Sequence, residues 1–129
     1  MGAVSVETNL MGRPMSPTQR TLVALRAEGW TAEVVERWNP HARVRHDLFN
    51  IVDILAVRGT QTLAVQTTAG SGVSPRIIKL RASSTLPLLL GAGWRIEVHG
   101  WRRVKVRRSG KAIRWACRVV DMTDGEKPA

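Results

Sequence analysis

Asp53 and Gln66 are the two polar residues whose positions in the sequence most directly suggest chemistry. Each lies in a short apolar run rich in β-branched residues, and a turn that contains Gly59 separates the two runs. If Gly59 and Thr60 form the two-residue loop of a β-hairpin, Asp53 lies directly opposite Gln66. Opposed side chains share one face of a hairpin, with Cβ atoms roughly 4.5–5.5 Å apart. A carboxylate and an amide oxygen at that spacing could bind a hard divalent cation.

Asp53 also has a purely structural interpretation. A carboxylate among apolar neighbours is costly to bury without a partner, and an ion pair with a nearby arginine would supply one. The predicted position of Asp53 opposite Gln66 also depends on the length of the loop, because a three-residue loop would shift the strand pairing and separate the two side chains. At the level of these residues alone, a metal site and an ion pair both stay open.

The charge of the chain points to a polyanionic partner. Its 129 residues include 20 Lys and Arg but only 10 Asp and Glu, which gives a formal net charge of +10 and a sequence pI near 11.5. Because 43% of the residues are hydrophobic and the apolar runs are periodic, the chain is not a disordered basic tail. Its length suits one domain. Nucleic acid is therefore the expected partner.

Disulfide, zinc and membrane chemistry are disfavoured by the sequence. The single cysteine, Cys117, precludes an internal disulfide framework and a cysteine-rich zinc site. The longest apolar run, residues 86–92, contains Pro87 and is too short to span a bilayer. The N-terminus shows no basic region followed by an apolar stretch, so no secretory signal is visible. We therefore expect no membrane association and a cytoplasmic location.

Turn and cap residues divide the chain into a loose arm (1–15), one domain (16–120) and a flexible tail (121–129). The predicted order is helix, three strands, helix, strand and an additional basic hairpin, which is a mixed α/β domain around one sheet. The predicted elements are a helix over 17–28, strands over 30–38, 51–57 and 62–68, a helix from 74 that Pro87 interrupts or restarts, a strand over 94–98, and a hairpin of 104–106 with 113–119.

The segment from Val98 to Val120 carries eight Lys or Arg residues and no acid. A turn at residues 109–110 would place Lys105 directly opposite Arg114, and like charges in that arrangement destabilise a sheet. Phosphate groups would neutralise such a face. The alternative is a solvated edge whose charge discourages aggregation. The face expected to carry the charge consists of Arg103, Lys105, Arg107 and Arg114.

Three further features could contribute to a site, each with a structural alternative. His46 and Asp47 could supply a metal ligand or a proton shuttle, or Asp47 could form a loop salt bridge. Trp38 or Trp101 could stack on a base, although tryptophans more often pack in the core. The loop at residues 70–72 has small side chains, which would let the backbone approach a phosphate closely.

Residues 46–57, 63–71 and 93–102 together resemble small phage-associated proteins of the PD-(D/E)XK nuclease superfamily. These proteins are similar to Holliday-junction-resolvase-like endonucleases, and the resemblance covers roughly residues 16–118. It implies a restriction-endonuclease-like core of a helix, three strands, a helix and another strand. It also implies a motif with an Asp on the second strand, an acidic residue followed two positions later by Lys on the third, and often a Glu on the first helix.

Carried over to this chain, the resemblance makes Asp53 the motif Asp and puts Gln66 at the acidic position. Thr68 then stands where the motif has Lys, so neither the second acidic charge nor the cation is present on that strand. In some members the Lys comes from the following helix. Lys79 is the implied substitute here, and Arg76 is the second choice.

The implied metal is Mg²⁺ or Mn²⁺, bound by Asp53, Gln66 and the carbonyl of Thr67, while Lys79 stabilises the phosphate. Glu28 is the implied helix acid, with Glu36 as the second candidate. Additional candidates for the site are Glu28, Asp47 and Thr68. The residues expected to contact DNA are Ser71, Arg76, Arg102, Arg103, Lys105, Arg107 and Arg114.

The function implied by the resemblance is a metal-dependent DNA endonuclease that hydrolyses phosphodiester bonds in branched or junction-containing DNA. The alternative is a DNA-binding or phage regulatory protein that retains the nuclease fold without the chemistry, because fold does not determine function. Gln66 and Thr68 are the residues that favour this alternative. The location implied is the cytoplasm of a bacterial host if a phage encodes the protein, and a homodimer stays open.

Overall fold

The computed structural model describes residues 14–123. Most of the predicted arm (1–15) and tail (121–129) therefore lies outside the described residues. The described elements are α1 (Pro17–Ala27), β1 (Thr31–Val34), β2 (Arg37–Asn39), β3 (Val44–His46), β4 (Ile54–Arg58), β5 (Gln61–Ala69), a 3-10 turn (Gly70–Gly72), α2 (Val73–Ala82), α3 (Leu86–Gly91), β6 (Arg95–Lys105) and β7 (Ile113–Asp121).

Helix α1 begins at the predicted residue and ends at Ala27, one residue before the predicted end. The Ser16 hydroxyl accepts from the Gln19 backbone N–H (3.1 Å), and the Gln19 side chain accepts from the Ser16 N–H (3.4 Å), which is a capping box. Pro17 occupies the first helical turn, where its missing N–H costs nothing. Gly29 follows the helix with φ of +90°, a conformation that glycine adopts readily, and it ends α1.

One mixed five-stranded sheet, ordered β1-β4-β5-β6-β7, forms the centre of the domain, so the predicted mixed α/β class is confirmed. All neighbouring strands are antiparallel except β5 and β6, which are parallel and joined through α2 and α3. The predicted β4–β5 hairpin register is confirmed, since Ile54 pairs with Val65 and Arg58 with Gln61. Gly59 has φ of +60° in the two-residue loop, as a tight hairpin turn requires.

Helices cover both faces of the sheet and define two apolar clusters. On the α2 face, the sheet residues pack against α2 and α3; on the α1 face, they pack against α1. The α2-face cluster consists of Ile51, Val52, Ala64, Val73, Leu80, Leu86, Leu89, Ile96, Val98 and Met122. The α1-face cluster consists of Leu25, Trp30, Ala32, Ile54, Ala56, Leu63 and Val65.

The predicted first strand over 30–38 is wrong in its second half. It divides into β1 and β2, and β2 pairs with β3 in a separate two-stranded antiparallel sheet. Residues 39–47, expected to be a polar connection, therefore include a strand. The turn between β2 and β3 is closed by the Asn39 Oδ1, which accepts from the backbone N–H groups of His41 (3.0 Å) and Ala42 (3.2 Å).

The predicted C-terminal hairpin also needs correction. β6 is one continuous strand, and its register with β7 is shifted by one residue, with Lys105 opposite Ile113 and Val104 opposite Arg114. The cause is a longer connection: the Val106 N–H donates to the Ala112 carbonyl (3.0 Å), so the turn is not two residues long. Because a one-residue shift moves a side chain to the other face, Lys105 and Arg114 do not face each other.

Helix α2 begins at Val73 and follows Gly72, so the predicted cap at Ser74 is wrong, whereas the predicted restart at Pro87 is confirmed by α3. The start of α2 lies very close to the sheet. A Cβ on Gly72 would overlap the Thr68 hydroxyl, and one on Gly100 would overlap Val73. No helix within residues 14–123 is long and apolar enough to cross a membrane.

Candidate functional site

A tight turn brings Asp47 and Asp53 together at one end of the sheet. Leu48 and Val52 form an antiparallel bridge, in which each backbone N–H donates to the other residue's carbonyl (3.0 Å for both). Residues 49–50 at the tip both have positive φ, 55° and 64°. Asp47 precedes this bridge and Asp53 follows it, so the two carboxylates emerge side by side.

The backbone of Asp53 is fixed between two strands. Its N–H donates to the Val65 carbonyl (2.9 Å), and its carbonyl accepts from the Val35 N–H (2.8 Å). Because Val35 is held there, the next residue, Glu36, also reaches the Asp53 carboxylate. The β4–β5 register then places Gln66 beside Asp53 from the other direction.

The Asp53 side chain accepts three hydrogen bonds at a single oxygen. Its Oδ2 accepts from the Gln66 Nε2 (3.0 Å), the Thr67 backbone N–H (2.8 Å) and the Thr67 hydroxyl (3.2 Å). The Thr67 hydroxyl also contacts the Thr18 hydroxyl on α1 (2.6 Å). Asp53 is therefore a buried carboxylate with dedicated donors, and none of them is the arginine that the structural interpretation required.

Three carboxylates meet at this point, and we call Glu36, Asp47 and Asp53 the acid cluster. Oxygen atoms of the three side chains lie within 4.8 Å of one another. Two cations approach the cluster from its rim: the Arg45 Nη1 lies 3.3 Å from Glu36, and the Lys79 Nζ lies 3.7 Å from Asp47. With all three acids ionised, the cluster would keep an excess negative charge, which favours a further cation.

Burial controls the protonation of Asp53. Removal of the carboxyl from water raises its pKa from the ordinary value of 3.8 to about 6. The Thr67 N–H opposes this rise because it stabilises the carboxylate, whereas the neighbouring Asp47 adds to it through like-charge repulsion. A metal cation beside Asp53 would supply the positive charge that the buried carboxylate lacks.

Gln66 has a buried side-chain amide whose hydrogen bonding is incomplete. Its side chain is 1% exposed, and its Nε2 donates to Asp53 and also to the Asp47 Oδ2 (3.3 Å). Within the described part of the chain, its Oε1 is a buried oxygen that has no hydrogen-bond partner. Such an oxygen is costly to bury. A half-turn of the amide would direct Oε1 toward the carboxylates, and a divalent cation among these oxygens would then satisfy it.

Thr68 and Lys79 lie in different surroundings. Thr68 is buried beneath Gly72 at the start of α2, so the strand position is too crowded for a long cationic side chain. Lys79 lies in the last turn of α2 and reaches the acid cluster through its ion pair with Asp47. Lys79 is therefore a cation at the edge of the acid cluster.

The other site residues inferred from the sequence lie in different parts of the structure. Glu28 ends α1 on the α1 face, where its carbonyl accepts from Arg58 (2.8 Å), so it stands apart from the acid cluster. Thr67 contacts Asp53 through its N–H and hydroxyl. Ser71 is exposed in the 3-10 turn, and Arg76 is half-buried on α2.

Glu36, only a second candidate from the sequence, is the acid that joins Asp47 and Asp53. Its position depends on the end of β1 and on the Val35 hydrogen bond to Asp53, neither of which a local pattern predicts. The one local signal is that Glu36 and Asp47 are the acids that flank the ten acid-free residues 37–46.

The basic residues of β6 and β7 are distributed over both sheet faces, contrary to the single charged face that we predicted. In the observed register, Arg102 and Arg114 lie on the α2 face, which also carries Gln66, and Arg118 joins them opposite Gly100. Arg103 and Lys105 lie on the α1 face. Arg107 follows the end of β6 in the connecting loop.

The two tryptophans considered for base stacking differ in their environments. Trp101 is half-buried on the α1 face, where its indole N–H donates to the Thr21 hydroxyl (2.8 Å). Trp38 on β2 is 58% exposed. Trp38 is therefore the one of the two whose ring is open to solvent.

Comparisons with models of known protein families, with curated proteins and with solved structures find no match to this chain. The chemistry of the site is accordingly inferred from its residues and their geometry.

Proposed function

We propose that this protein is a metal-dependent DNA endonuclease of the PD-(D/E)XK type that acts on branched or junction-containing DNA. The observation that carries the proposal is the convergence of the acid cluster with the buried amide of Gln66, whose Oε1 lacks a partner. Four oxygen-bearing side chains from four segments of the chain thus meet at one end of the sheet. The proposal includes a cytoplasmic location.

The topology supports the same proposal. A helix, an antiparallel arrangement of β1, β4 and β5, a helical crossover and a parallel β6 follow the order that the resemblance implies for a restriction-endonuclease-like core. Asp53 immediately precedes the second of these sheet strands, and Gln66 lies on the third. Asp53, which the resemblance makes the motif Asp, is therefore a member of the acid cluster, and Gln66 lies beside it.

The residues present fit Mg²⁺ or Mn²⁺, which prefer carboxylate and amide oxygens. Glu36, Asp47, Asp53 and Gln66 would hold such a cation, and the two rim cations would exchange their carboxylate partners for phosphate. The cation would neutralise charge on the scissile phosphate and lower the pKa of the attacking water. Lys79 is placed to contact a phosphate oxygen once Asp47 is engaged elsewhere, which would stabilise the charge that develops on the phosphate.

The α2 face also offers a path for the DNA backbone. Arg102, Arg114 and Arg118 project from this face of β6 and β7, and all three are exposed. Gly70 lies against the Arg102 side chain, so the 3-10 turn joins this basic surface to the end of β5. Phosphate contacts of this kind position a duplex without reading its sequence.

A second candidate function is DNA binding without cleavage. The observation that favours it is that Gln66 replaces a charged ligand while Lys79 and Arg45 already pair with two of the three acids. Thr67 and Gln66 also satisfy the Asp53 carboxylate without any metal. In that case the acid cluster would be a structural network and the basic surface would carry the function.

A cleavage assay separates the two functions. Wild-type protein would be incubated with flap, four-way junction, linear duplex and single-stranded DNA in Mg²⁺, in Mn²⁺ and in chelator. We expect divalent-dependent cleavage of the branched substrates, which Asp53→Ala abolishes while DNA affinity in chelator stays nearly unchanged. Glu33→Ala, which removes an exposed carboxylate on β1, is the matched control and should cut like wild type. Binding without cleavage in any condition would support the second function.

A further inference from the structure

The two-stranded sheet of β2 and β3 is an addition to the main sheet, and we call residues 37–46 the basic arm. It lies between Glu36 and Asp47, so members of the acid cluster flank it on both sides. The arm contains three arginines and two histidines and no acid. Its position means that anything bound to the arm is brought next to the acid cluster.

The basic arm exposes a large aromatic ring on an ordered support. Trp38 is 58% exposed, and it pairs with Arg45 across the two strands, so both side chains share one face. The Asn39 side chain closes the connecting turn through two backbone N–H groups. A ring held in this way can stack on a ligand with little further loss of conformational freedom.

A groove runs from Trp38 to the acid cluster. It has a volume of about 440 Å³ and is lined by Val34, Glu36, Arg37, Trp38 and Arg45. Glu36 belongs both to this groove and to the acid cluster. If one part of a ligand contacts Trp38, the next part would therefore lie beside the carboxylates.

Charge and shape together indicate the ligand of the groove. Arg45 shares the face of the exposed ring, Arg37 also lines the groove, and Arg43 is exposed at the turn. Cationic side chains around a stacking ring are typical of sites for single-stranded nucleic acid, because phosphates meet the cations while a base stacks on the ring. A paired base cannot offer its face to such a ring, since its neighbours in the duplex cover it.

We propose that the basic arm binds DNA where a base is unpaired, with Trp38 stacked on that base and Arg37 and Arg45 in contact with the adjoining phosphates. The arm would thereby place the strand next to the acid cluster and give the protein its preference for branched DNA. This inference rests on the proposed function only where it concerns cleavage, because base stacking and phosphate contacts require no metal.

The test measures binding in chelator, where no cleavage occurs. A flap DNA carries 2-aminopurine at its first unpaired position, and a fully paired duplex of the same sequence is the reference. For wild type we expect quenching of the 2-aminopurine fluorescence and tighter binding to the flap. Trp38→Ala should remove the quenching and reduce the flap-to-duplex affinity ratio roughly tenfold, as expected for one lost base stack.

Two further variants control the test. Trp38→Phe keeps an aromatic ring and should retain most of the preference. Leu88→Ala removes a side chain that is 71% exposed on α3 and should behave like wild type. The inference would be overturned if Trp38→Ala kept both the quenching and the affinity ratio, or if wild type bound the flap no better than the duplex. A Trp38-dependent preference in a protein that cuts nothing would support the arm and contradict the nuclease.

Discussion

The buried carboxyl of Asp53 should make the stability of the metal-free protein depend on pH in a specific direction. Its folded pKa is raised to about 6 from 3.8, so between these values the folded state binds the proton that the unfolded state has lost. The free energy of unfolding therefore falls as pH rises through this interval. A pKa change of this size corresponds to about 3 kcal/mol when the acid is fully ionised.

Asp53→Asn removes the titration while it preserves the shape of the side chain. The new amide oxygen can accept from the Thr67 N–H and from the Gln66 Nε2, which are donors to Asp53 in the wild type. In chelator, the stability of the variant relative to wild type should therefore increase by about 3 kcal/mol from pH 4 to pH 7.5. Most of this change should fall between pH 4 and 6.

The assay is urea unfolding at fixed pH values across that range, with Glu33→Gln as a control for the loss of an exposed carboxylate. Added Mn²⁺ should offset most of the variant's gain above pH 6, because only wild type is stabilised by a bound cation, by about 2.7 kcal/mol at 100 times the dissociation constant. A variant that is less stable than wild type by the same amount at every pH would refute the reasoning. It would show that the Asp53 charge carries no cost in the folded protein.

Two other predictions concern the basic surface and the hairpin. Alanine at both Arg102 and Arg114 should reduce the slope of log affinity for DNA against log salt by about 2. Alanine at both Arg103 and Lys105, on the other face, should reduce this slope less. Salt titrations of DNA binding would measure both slopes, and equal effects would contradict the assignment of DNA binding to the α2 face. Gly59→Ala should lower the free energy of unfolding by about 1–2 kcal/mol, because residue 59 has φ of +60°, and urea unfolding would measure it.

The sequence predicted elements whose determinants are local. The Ser16 cap, the Gly59 loop and the short β-branched runs of β4 and β5 fix one helix and one hairpin register within short stretches, so Asp53 and Gln66 could be paired in advance. The β6–β7 register could not be predicted, because a Ser-Gly pair fits a longer loop as well as a two-residue turn.

The complete acid cluster could not be predicted from local sequence patterns. Glu36 joins it through the Val35 hydrogen bond to Asp53, and Asp47 joins it through a turn whose tip adopts positive φ at a phenylalanine. The hydrogen bond has no sequence signature, and at the turn tip only Asn50 is a residue type that readily adopts positive φ, whereas Phe49 is not. The division of residues 30–46 into three strands is likewise set by tertiary structure, because the chain leaves the main sheet after β1 and β2 then pairs with β3.

The most direct test of the central claim is a single-turnover cleavage measurement that compares wild type, Asp53→Ala and Gln66→Glu on flap and junction DNA. Gln66→Glu adds the negative charge that a stronger Mg²⁺ site requires at a position already beside Asp53. We predict that wild type cuts, that Gln66→Glu cuts as fast or faster in Mg²⁺, and that Asp53→Ala does not cut although it binds. Failure of both wild type and Gln66→Glu to cut in Mg²⁺ or Mn²⁺, with DNA binding intact, would contradict the nuclease.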